Sequence, residues 1–217
     1  MTVLVERRCP SSSRIDTRVI EAGHVAHCHH PRPPAPGGGH FCHALAQAYA
    51  TGAAEGGHEV RGINVAELDF PILRSKSDWE DAAPPAAIAT AQGTIAWAEH
   101  LVIIYPLWLG GMPALLKGFL EQVLRPAFLS GTSEPGASWK TTLKGRSSRT
   151  IVTMGMPAFV YRWYFGAHSL RSLKRSILGL VGLGPNRHML IGSVETMSDG
   201  KRKRHLDTTR RLGARAV

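Results

Sequence analysis

Two loops of this 217-residue sequence contain glycines next to predicted strands and helices, an arrangement that can bind a ligand through backbone amides. The first loop follows the continuous apolar run 101–105, which predicts a strand buried on both faces. Its glycines, Gly110 and Gly111, free the backbone, and Pro113 is well suited to begin a helix. In open α/β folds, ligands bind where such loops leave the carboxyl ends of the strands. An ordinary connection between a strand and a helix would give the same pattern.

The second loop is the glycine triplet 37–39, which precedes a predicted helix over residues 40–55. The first amides of a helix have no partner within it, and the helix dipole also favours negative charge there. The triplet therefore favours an anion site, although on its own it is a weak signal.

A third segment has an unusual aromatic content. Five of the eight residues 161–168 are aromatic or histidine, and they follow a predicted strand over 150–153. Such a segment can form a flat site for a ring-shaped substrate. A buried core segment is the alternative interpretation.

Histidines and a cysteine crowd together before a proline-rich run: His24, His27, Cys28, His29 and His30. Adjacent ligands cannot all reach one tetrahedral centre, and the paired spacing of zinc sites is absent. We therefore predict a solvated segment here and no metal site.

The charge of the chain is unevenly placed. The net charge is +10, and residues 140–217 carry 16 Lys and Arg against 3 Asp and Glu. A basic half can bind nucleic acid, an anionic membrane surface or a phosphorylated cofactor, or it can be a solvated face. Because no zinc-finger spacing or RNA-binding aromatic motif is present, we predict no nucleic-acid partner.

Neither a secretory signal nor a membrane span is visible in the sequence. The longest uncharged apolar run, 101–116, is interrupted by two prolines and two glycines. The three cysteines show no disulfide framework. These observations predict a cytoplasmic protein of one main domain.

Strand and helix patterns alternate along the chain. Helices are predicted over 40–55, 84–99, from 113, over 169–181 and over 199–215, and strands over 58–65, 101–105, 150–153 and 189–192. This alternation predicts an α/β fold with a doubly wound parallel sheet between two helical layers.

Residues 1–37 do not fit this pattern. Val3–Val5 and Arg18–Ile20 are short apolar runs, and neither reads as a convincing buried strand. We predict an irregular leader over 1–37, with at best a poor first strand within 18–27, and a folded domain over 38–217.

The segment 105–119, Tyr-Pro-Leu-Trp-Leu-Gly-Gly-Met-Pro-Ala-Leu-Leu-Lys-Gly-Phe, resembles the NAD(P)H:quinone oxidoreductase family of flavodoxin-like flavoproteins. That family includes the ancillary oxidoreductases of potassium-efflux systems, and the resemblance extends over roughly residues 38–215. It implies a flavodoxin-like three-layer α/β/α fold. It also implies FAD, or else FMN, as cofactor, NAD(P)H as co-substrate, and two-electron reduction of quinones or similar ring electrophiles.

The resemblance also assigns roles to residues. It implies that the flavin is bound by His40, Phe41, Cys42, Pro106, Leu107, Trp108, Leu109, Gly110, Thr153, Gly155 and Met156. It implies that Tyr161 and His168 lie near the quinone as hydrogen-bond or proton donors.

Partners follow from the same resemblance. It implies a homodimer in which one subunit's aromatic loop closes the flavin pocket of the other, and a possible peripheral membrane partner. The alternative functions are an ancillary flavoprotein subunit that regulates a potassium-efflux system and a flavodoxin-like electron carrier.

Overall fold

The computed structural model describes residues 1–8, 38–131 and 142–216. Within 38–131, the side chains are described from residue 41 onward. Five strands form one sheet in the order β2-β1-β3-β4-β5. They are β1 (Thr2–Arg8), β2 (His58–Asn64), β3 (His100–Pro106), β4 (Ser147–Thr153) and β5 (Asn186–Ile191).

Helices cover both faces of the sheet. They are α1 (Gly38–Glu55), α2 (Lys76–Glu80), α3 (Ala86–Trp97), α4 (Ala114–Val123), α5 (Pro126–Ser130), α6 (His168–Ser172) and α7 (Asp199–Ala214), with a short 3₁₀ turn at Val65–Glu67 and π-helical turns at Val160–Tyr164 and Leu173–Leu178. Helices α1 and α7 pack on one face, and α3, α4 and the segment 160–178 pack on the other. No described helix is long and apolar enough to cross a membrane.

The predicted three-layer α/β/α fold is confirmed. Strands β3, β4 and β5 pair in parallel, and β2 runs in the same direction. Strand β3 is buried over His100–Tyr105, as its apolar run predicts for a strand covered on both faces. The carboxyl ends of β3, β4 and β5 therefore meet at one edge of the sheet, which we call the carboxyl edge.

Strand β1 corrects the expectation of an all-parallel sheet and of an irregular leader. It runs antiparallel to both neighbours, and its residues Val3–Glu6 are buried. The prediction that residues 1–37 lack a proper strand was wrong for residues 2–8, and the candidate first strand within 18–27 lies outside the described residues. A run as short as Val3-Leu4-Val5 is enough here, because both of its faces are covered by helical layers.

Because β1 is antiparallel to its neighbours, it begins at the carboxyl edge and ends at the opposite edge of the sheet. Thr2 pairs with Ile104 near the carboxyl edge, and Glu6 pairs with His100 near the other edge, which we call the amino edge. At the amino edge, Arg8 donates from Nη2 to the carbonyl oxygen of Ala216 at 3.0 Å. The first strand is thereby fastened to the end of α7.

Two glycines bring α1 and α7 into backbone contact. A Cβ atom on Gly52 would lie 1.8 Å from the carbonyl oxygen of Arg210, and one on Gly213 would lie 2.1 Å from that of Tyr49. Any side chain at these positions would push the helices apart. The close approach fixes the last turns of α7 beside the last turns of α1.

Candidate active site

Three loops leave the carboxyl edge and are joined by backbone hydrogen bonds. The amide of Leu107 donates to Thr153 O at 2.7 Å, and that of Met154 donates to Ile191 O at 2.9 Å. The loop after β5 is bonded to the loop after β4 in turn, because Ser193 N donates to Met156 O at 3.0 Å. These bonds join the three loops into one continuous surface at the carboxyl edge, which we call the shelf. Such contacts are expected for loops that leave neighbouring parallel strands.

The first loop contains a tight turn. Trp108 and Gly111 exchange backbone hydrogen bonds of 2.9 and 2.8 Å, while Leu109 and Gly110 have φ values of 46° and 74°. These left-handed values are uncommon for leucine, and such strain is concentrated at ligand sites. The Leu109 side chain is fully exposed, so it has no packing partner that would hold it there.

The turn decides which amides are free to bind a ligand. The amides of Leu107 and Trp108 donate within the protein, so neither of these residues, both assigned to flavin binding by the resemblance, has a free amide for a ligand. The amides of Leu109 and Gly110 have no acceptor among the described residues. Pro106, the last residue of β3, has no amide hydrogen and serves only to place the turn.

The second loop offers further amides. Gly155 and Met156 also have no acceptor for their amides in the described part of the chain, and Gly155 is exposed. The loop rests on Gly192, where an added Cβ would lie 2.2 Å from Ala158 N and 2.7 Å from Met156 O. A glycine is therefore required at the end of β5 to seat the loop.

Helix α1 reaches the shelf with its first turn. Phe41 and Cys42 are buried there, and Cys42 Sγ lies 3.2 Å from Thr153 Oγ1 in a buried hydrogen bond that ties α1 to the end of β4. Burial raises the pKa of the Cys42 thiol, so this cysteine is a packing residue and not a nucleophile. His40 belongs to the same turn of α1, and its side chain lies outside the described part.

Two charged residues at this edge were missed by the sequence reasoning. The Arg202 guanidinium lies 4.8 Å from the centre of the Phe41 ring and donates from Nη2 to Val194 O at 3.2 Å. A carboxylate oxygen of Glu195 lies 3.2 Å from the position of a Cβ on Gly155. Arg202 stands in a run of basic residues that is typical of a solvated helix face. The helical period puts it on the same side as Leu206, and this is the one sequence signal that distinguishes it from its basic neighbours.

The aromatic segment divides into an inward and an outward part. Tyr161 is buried, and its hydroxyl lies 2.7 Å from Ser169 Oγ and accepts from the amide of Leu170 at 3.2 Å. Trp163 and Tyr164 are 80% and 83% exposed, and His168, the first residue of α6, is exposed as well. The role of Tyr161 as a donor to a substrate stays a prediction, and its inward position does not support it.

The site is an open shelf, and an open groove lies elsewhere. A groove of about 490 Å³ runs between α4 and the segment 176–181, and none of the predicted site residues lines it. Among the described residues, no three His, Cys, Asp or Glu side chains are grouped to hold a metal ion, and the histidines at 24–30 lie outside them. The free amides suit a planar ligand with hydrogen-bond acceptors, while the helix end and Arg202 suit an anionic group at some distance from the Glu195 carboxylate beside Gly155.

Comparison with known proteins gives a consistent assignment. A family model described as "Flavodoxin-like fold" matches residues 29–212. The chain is 28% identical over 167 residues to an uncharacterised NAD(P)H oxidoreductase of Haemophilus influenzae, covering 75% of this chain and 82% of that protein. It is 40% identical over 67 residues to the glutathione-regulated potassium-efflux system ancillary protein KefG of Escherichia coli, covering 30% of this chain and 33% of that protein.

Solved structures share the fold. An NAD(P)H:quinone oxidoreductase from Methanothermobacter marburgensis superposes with a TM-score of 0.67 at 21% identity, covering 85% of this chain and 90% of that one. An FMN-dependent NADH-azoreductase from Bacillus anthracis, solved with FMN, superposes with a TM-score of 0.59 at 12% identity, covering 80% and 90% of the two chains.

Proposed function

Because the chain belongs to the family of proteins with a flavodoxin-like fold, we propose that it is a flavin-dependent NAD(P)H oxidoreductase. We propose further that it reduces quinones or similar ring electrophiles by two-electron hydride transfer. The names of its relatives support an oxidoreductase, and the FMN bound in one structural relative supports a flavin. Both FAD and FMN remain candidates for this chain.

The observation that carries the proposal is the set of free amides at the carboxyl edge. Leu109 and Gly110 after β3, and Gly155 and Met156 after β4, leave their N–H groups without acceptors in the described part of the chain. Loops of neighbouring parallel strands bring these four donors to one edge. A flavin has carbonyl oxygens and ring nitrogens that accept hydrogen bonds from such donors.

The chain's residues would hold the cofactor at two ends. The free amides would bind the ring system and favour negative charge on it. The first turn of α1, with the Arg202 guanidinium beside Phe41, would bind the phosphate end, because both the helix dipole and the cation favour an anion. When bound, a flavin would supply the redox chemistry, accepting a hydride from NAD(P)H and passing two electrons to an acceptor.

Exposed side chains next to the shelf would receive the ring substrate. Trp108 is 61% exposed on the first loop, and Phe159 and Trp163 stand out from the aromatic segment. Flat aromatic faces stack on flat substrates and exclude water from them. The exposed His168 would donate a proton to such a substrate, and Tyr161 would act by holding the segment in place.

A homodimer remains part of the proposal. So many large aromatic side chains are seldom left exposed to solvent. A second copy of the chain that covers them would also close the open shelf. Light scattering at micromolar concentration tests this point, because a monomer would contradict it.

The second candidate function is an ancillary subunit of a potassium-efflux system, which the 67-residue match to KefG favours. Steady-state turnover separates the two. The enzyme reading predicts catalytic oxidation of NADH or NADPH by a soluble quinone after reconstitution with FMN or FAD. Flavin binding without turnover would favour the subunit or an electron carrier, and the absence of flavin binding would reject all three.

A further inference from the structure

The groove between α4 and the segment 176–181 is separate from the shelf. Its volume of about 490 Å³ lies within the range of sites that hold small molecules, about 300 to 1,000 Å³. It follows α4 for two turns, from Lys117 to Leu124, which is a length of about 10 Å at the rise of an α-helix. The groove is therefore long enough for a chain of several carbon atoms.

Aliphatic side chains form much of the groove. Leu120, Leu129 and Val181 line it and are buried in the core. Leu180 lines it as well and is 47% exposed. A ligand with an apolar chain would cover Leu180 and remove apolar surface from water, which favours binding.

The groove also carries positive charge. Arg74 and Lys76 line it at the start of α2, and Lys117 lines it from α4. Lys76 and Lys117 are each paired with a glutamate one helical turn further on, Glu80 and Glu121. Arg74 forms no ion pair with an acid in the described part of the chain, so its guanidinium can pair with the anionic group of a ligand.

The backbone that carries Arg74 is held by the first turn of α2. Asp78 Oδ2 accepts from the amides of Arg74 and Ser75 at 3.1 and 3.0 Å, and Ser75 Oγ accepts from the Asp78 amide at 3.1 Å. The Asp78 carboxylate is thereby bonded to the backbone and not to the guanidinium. Because the start of the Arg74 side chain is fixed beside the groove, less freedom is lost when it binds an anion.

We propose that the groove binds a free fatty acid or a similar long-chain carboxylate. The hydrocarbon chain lies against Leu124, Leu129 and Leu180, and the carboxylate is ion-paired with Arg74. Because the groove is open to solvent, the carboxylate keeps part of its hydration while the chain is covered. This binding does not depend on the proposed enzymatic function.

Other occupants fit the groove less well. An extended peptide finds no strand edge there, because the described lining lies on helices, on turns and on the loop before α2. A second copy with this groove on the two-fold axis would bring Arg74 and Lys76 close to the same cations of its partner.

The test is calorimetric titration of the full chain with decanoate below its micellar concentration. We expect one site with a Kd on the order of 100 μM, given the number of atoms in the ligand. Decyltrimethylammonium, which has the same chain and the opposite charge, should bind at least tenfold more weakly.

Two pairs of variants locate the site. Arg74→Gln should weaken decanoate binding about tenfold, whereas Arg204→Gln, which removes the same charge from an exposed position on α7, should have no effect. Leu180→Asn should weaken binding about fivefold, whereas Ile72→Asn, at a residue that is 63% exposed and does not line the groove, should have no effect.

Equal losses in Arg74→Gln and Arg204→Gln would overturn the proposal by showing that net charge alone attracts the anion. Displacement of decanoate by FMN would overturn it as well, because the ligand would then lie on the shelf. The absence of decanoate binding would also overturn it, including the case in which phosphatidylglycerol vesicles or an acidic helical peptide bind through Arg74 instead.

Discussion

The two edges of one sheet behave differently in this protein. At the carboxyl edge, four backbone amides lack acceptors among the described residues, and large aromatic side chains are exposed. At the amino edge, ionisable side chains are buried instead. Glu6 is fully buried and accepts from the Tyr49 hydroxyl at 2.7 Å, while His100 is 4% exposed with its Nδ1 2.7 Å from Ser147 Oγ.

The comparison separates two roles: the carboxyl edge is suited to ligand binding, and the amino edge makes stability depend on pH. The carboxyl edge offers uncharged donors whose strength does not change with pH, so it suits ligand binding. At the amino edge, burying a charged side chain destabilises the folded protein. The free energy of unfolding therefore changes with pH as these side chains gain or lose protons. Changes at one edge should therefore leave the other largely intact.

The largest expected effect comes from the seat of the carboxyl-edge loop. Gly192→Ala would place a Cβ 2.2 Å from Ala158 N, so the loop that carries Gly155 and Met156 must move. We expect flavin affinity to fall about a hundredfold, since the loss of two amide hydrogen bonds costs about 2 to 3 kcal/mol. Titration of the variant with FMN and FAD measures it.

The matched control for this substitution is Gly200→Ala on α7, where an added Cβ meets nothing within 4 Å. Its affinity should equal that of wild type. Equal affinities for wild type and Gly192→Ala would show that the loop after β4 does not hold the ligand.

The second prediction concerns His100 at the amino edge. Burial, together with Arg149, Arg8 and Arg187, lowers the pKa of His100 from 6.5 to about 4. The unfolded chain takes up a proton below pH 6.5 and the folded protein does not, so stability is fully present above that pH and is lost as pH falls toward 4. We expect His100 to account for about 2 kcal/mol of this loss.

Denaturant unfolding of wild type and of His100→Asn, across that pH range, isolates the contribution of His100. The variant should lose less stability on acidification than wild type. Parallel curves for the two proteins would mean that His100 is not kept neutral by its surroundings.

The third prediction sharpens the division within the aromatic segment. Tyr161→Phe leaves Ser169 Oγ and the Leu170 amide without the hydroxyl they contact, which should lower the unfolding free energy by about 1.5 kcal/mol. Turnover should keep its pH profile, because the hydroxyl points into the core. A profile that changes with little loss of stability would restore Tyr161 as a proton donor.

The smallest predicted effect is a gain of stability at the amino edge. Burial raises the pKa of Glu6, despite the opposing hydrogen bond from Tyr49 and the nearby charges of His58 and Arg8. A neutral Glu6 does not destabilise the folded protein, so its full stability is present below the ordinary pKa of glutamate. That stability is lost as pH rises through the raised pKa of Glu6. Glu6→Gln keeps an oxygen for Tyr49 and should add about 1 kcal/mol at pH 8.

Chemical unfolding at pH 8 and at pH 4 tests this sign. The gain should be largely absent at pH 4, where Glu6 is mostly protonated in both folded and unfolded protein. A loss of stability at pH 8 would mean that the Glu6 carboxylate is well paired in its ionised form.

Local sequence signals predicted the central part of the fold and of the site. The apolar run at 101–105, the glycine turn at Gly110 and the start of α4 after Pro113 are consecutive in the chain, so pattern and position agree. The fold prediction and the family resemblance were both confirmed.

Features that depend on distant parts of the chain could not be read in this way. Strand β1 was missed because Val3–Val5 is short and its burial depends on two helical layers from elsewhere in the chain. The direction of a side chain is set by packing, which the local sequence does not show: Arg202 turns toward Phe41, and Tyr161 turns into the core.

The central claim is that the amides of the two carboxyl-edge loops bind a flavin. Amide chemical shifts of the ¹⁵N-labelled protein, recorded during titration with FMN and with FAD, test it directly. Our account predicts that the largest shifts fall on Leu109, Gly110, Gly155 and Met156, four donors without acceptors among the described residues. Shifts confined to the groove between α4 and the segment 176–181, or no shifts with either flavin, would contradict it.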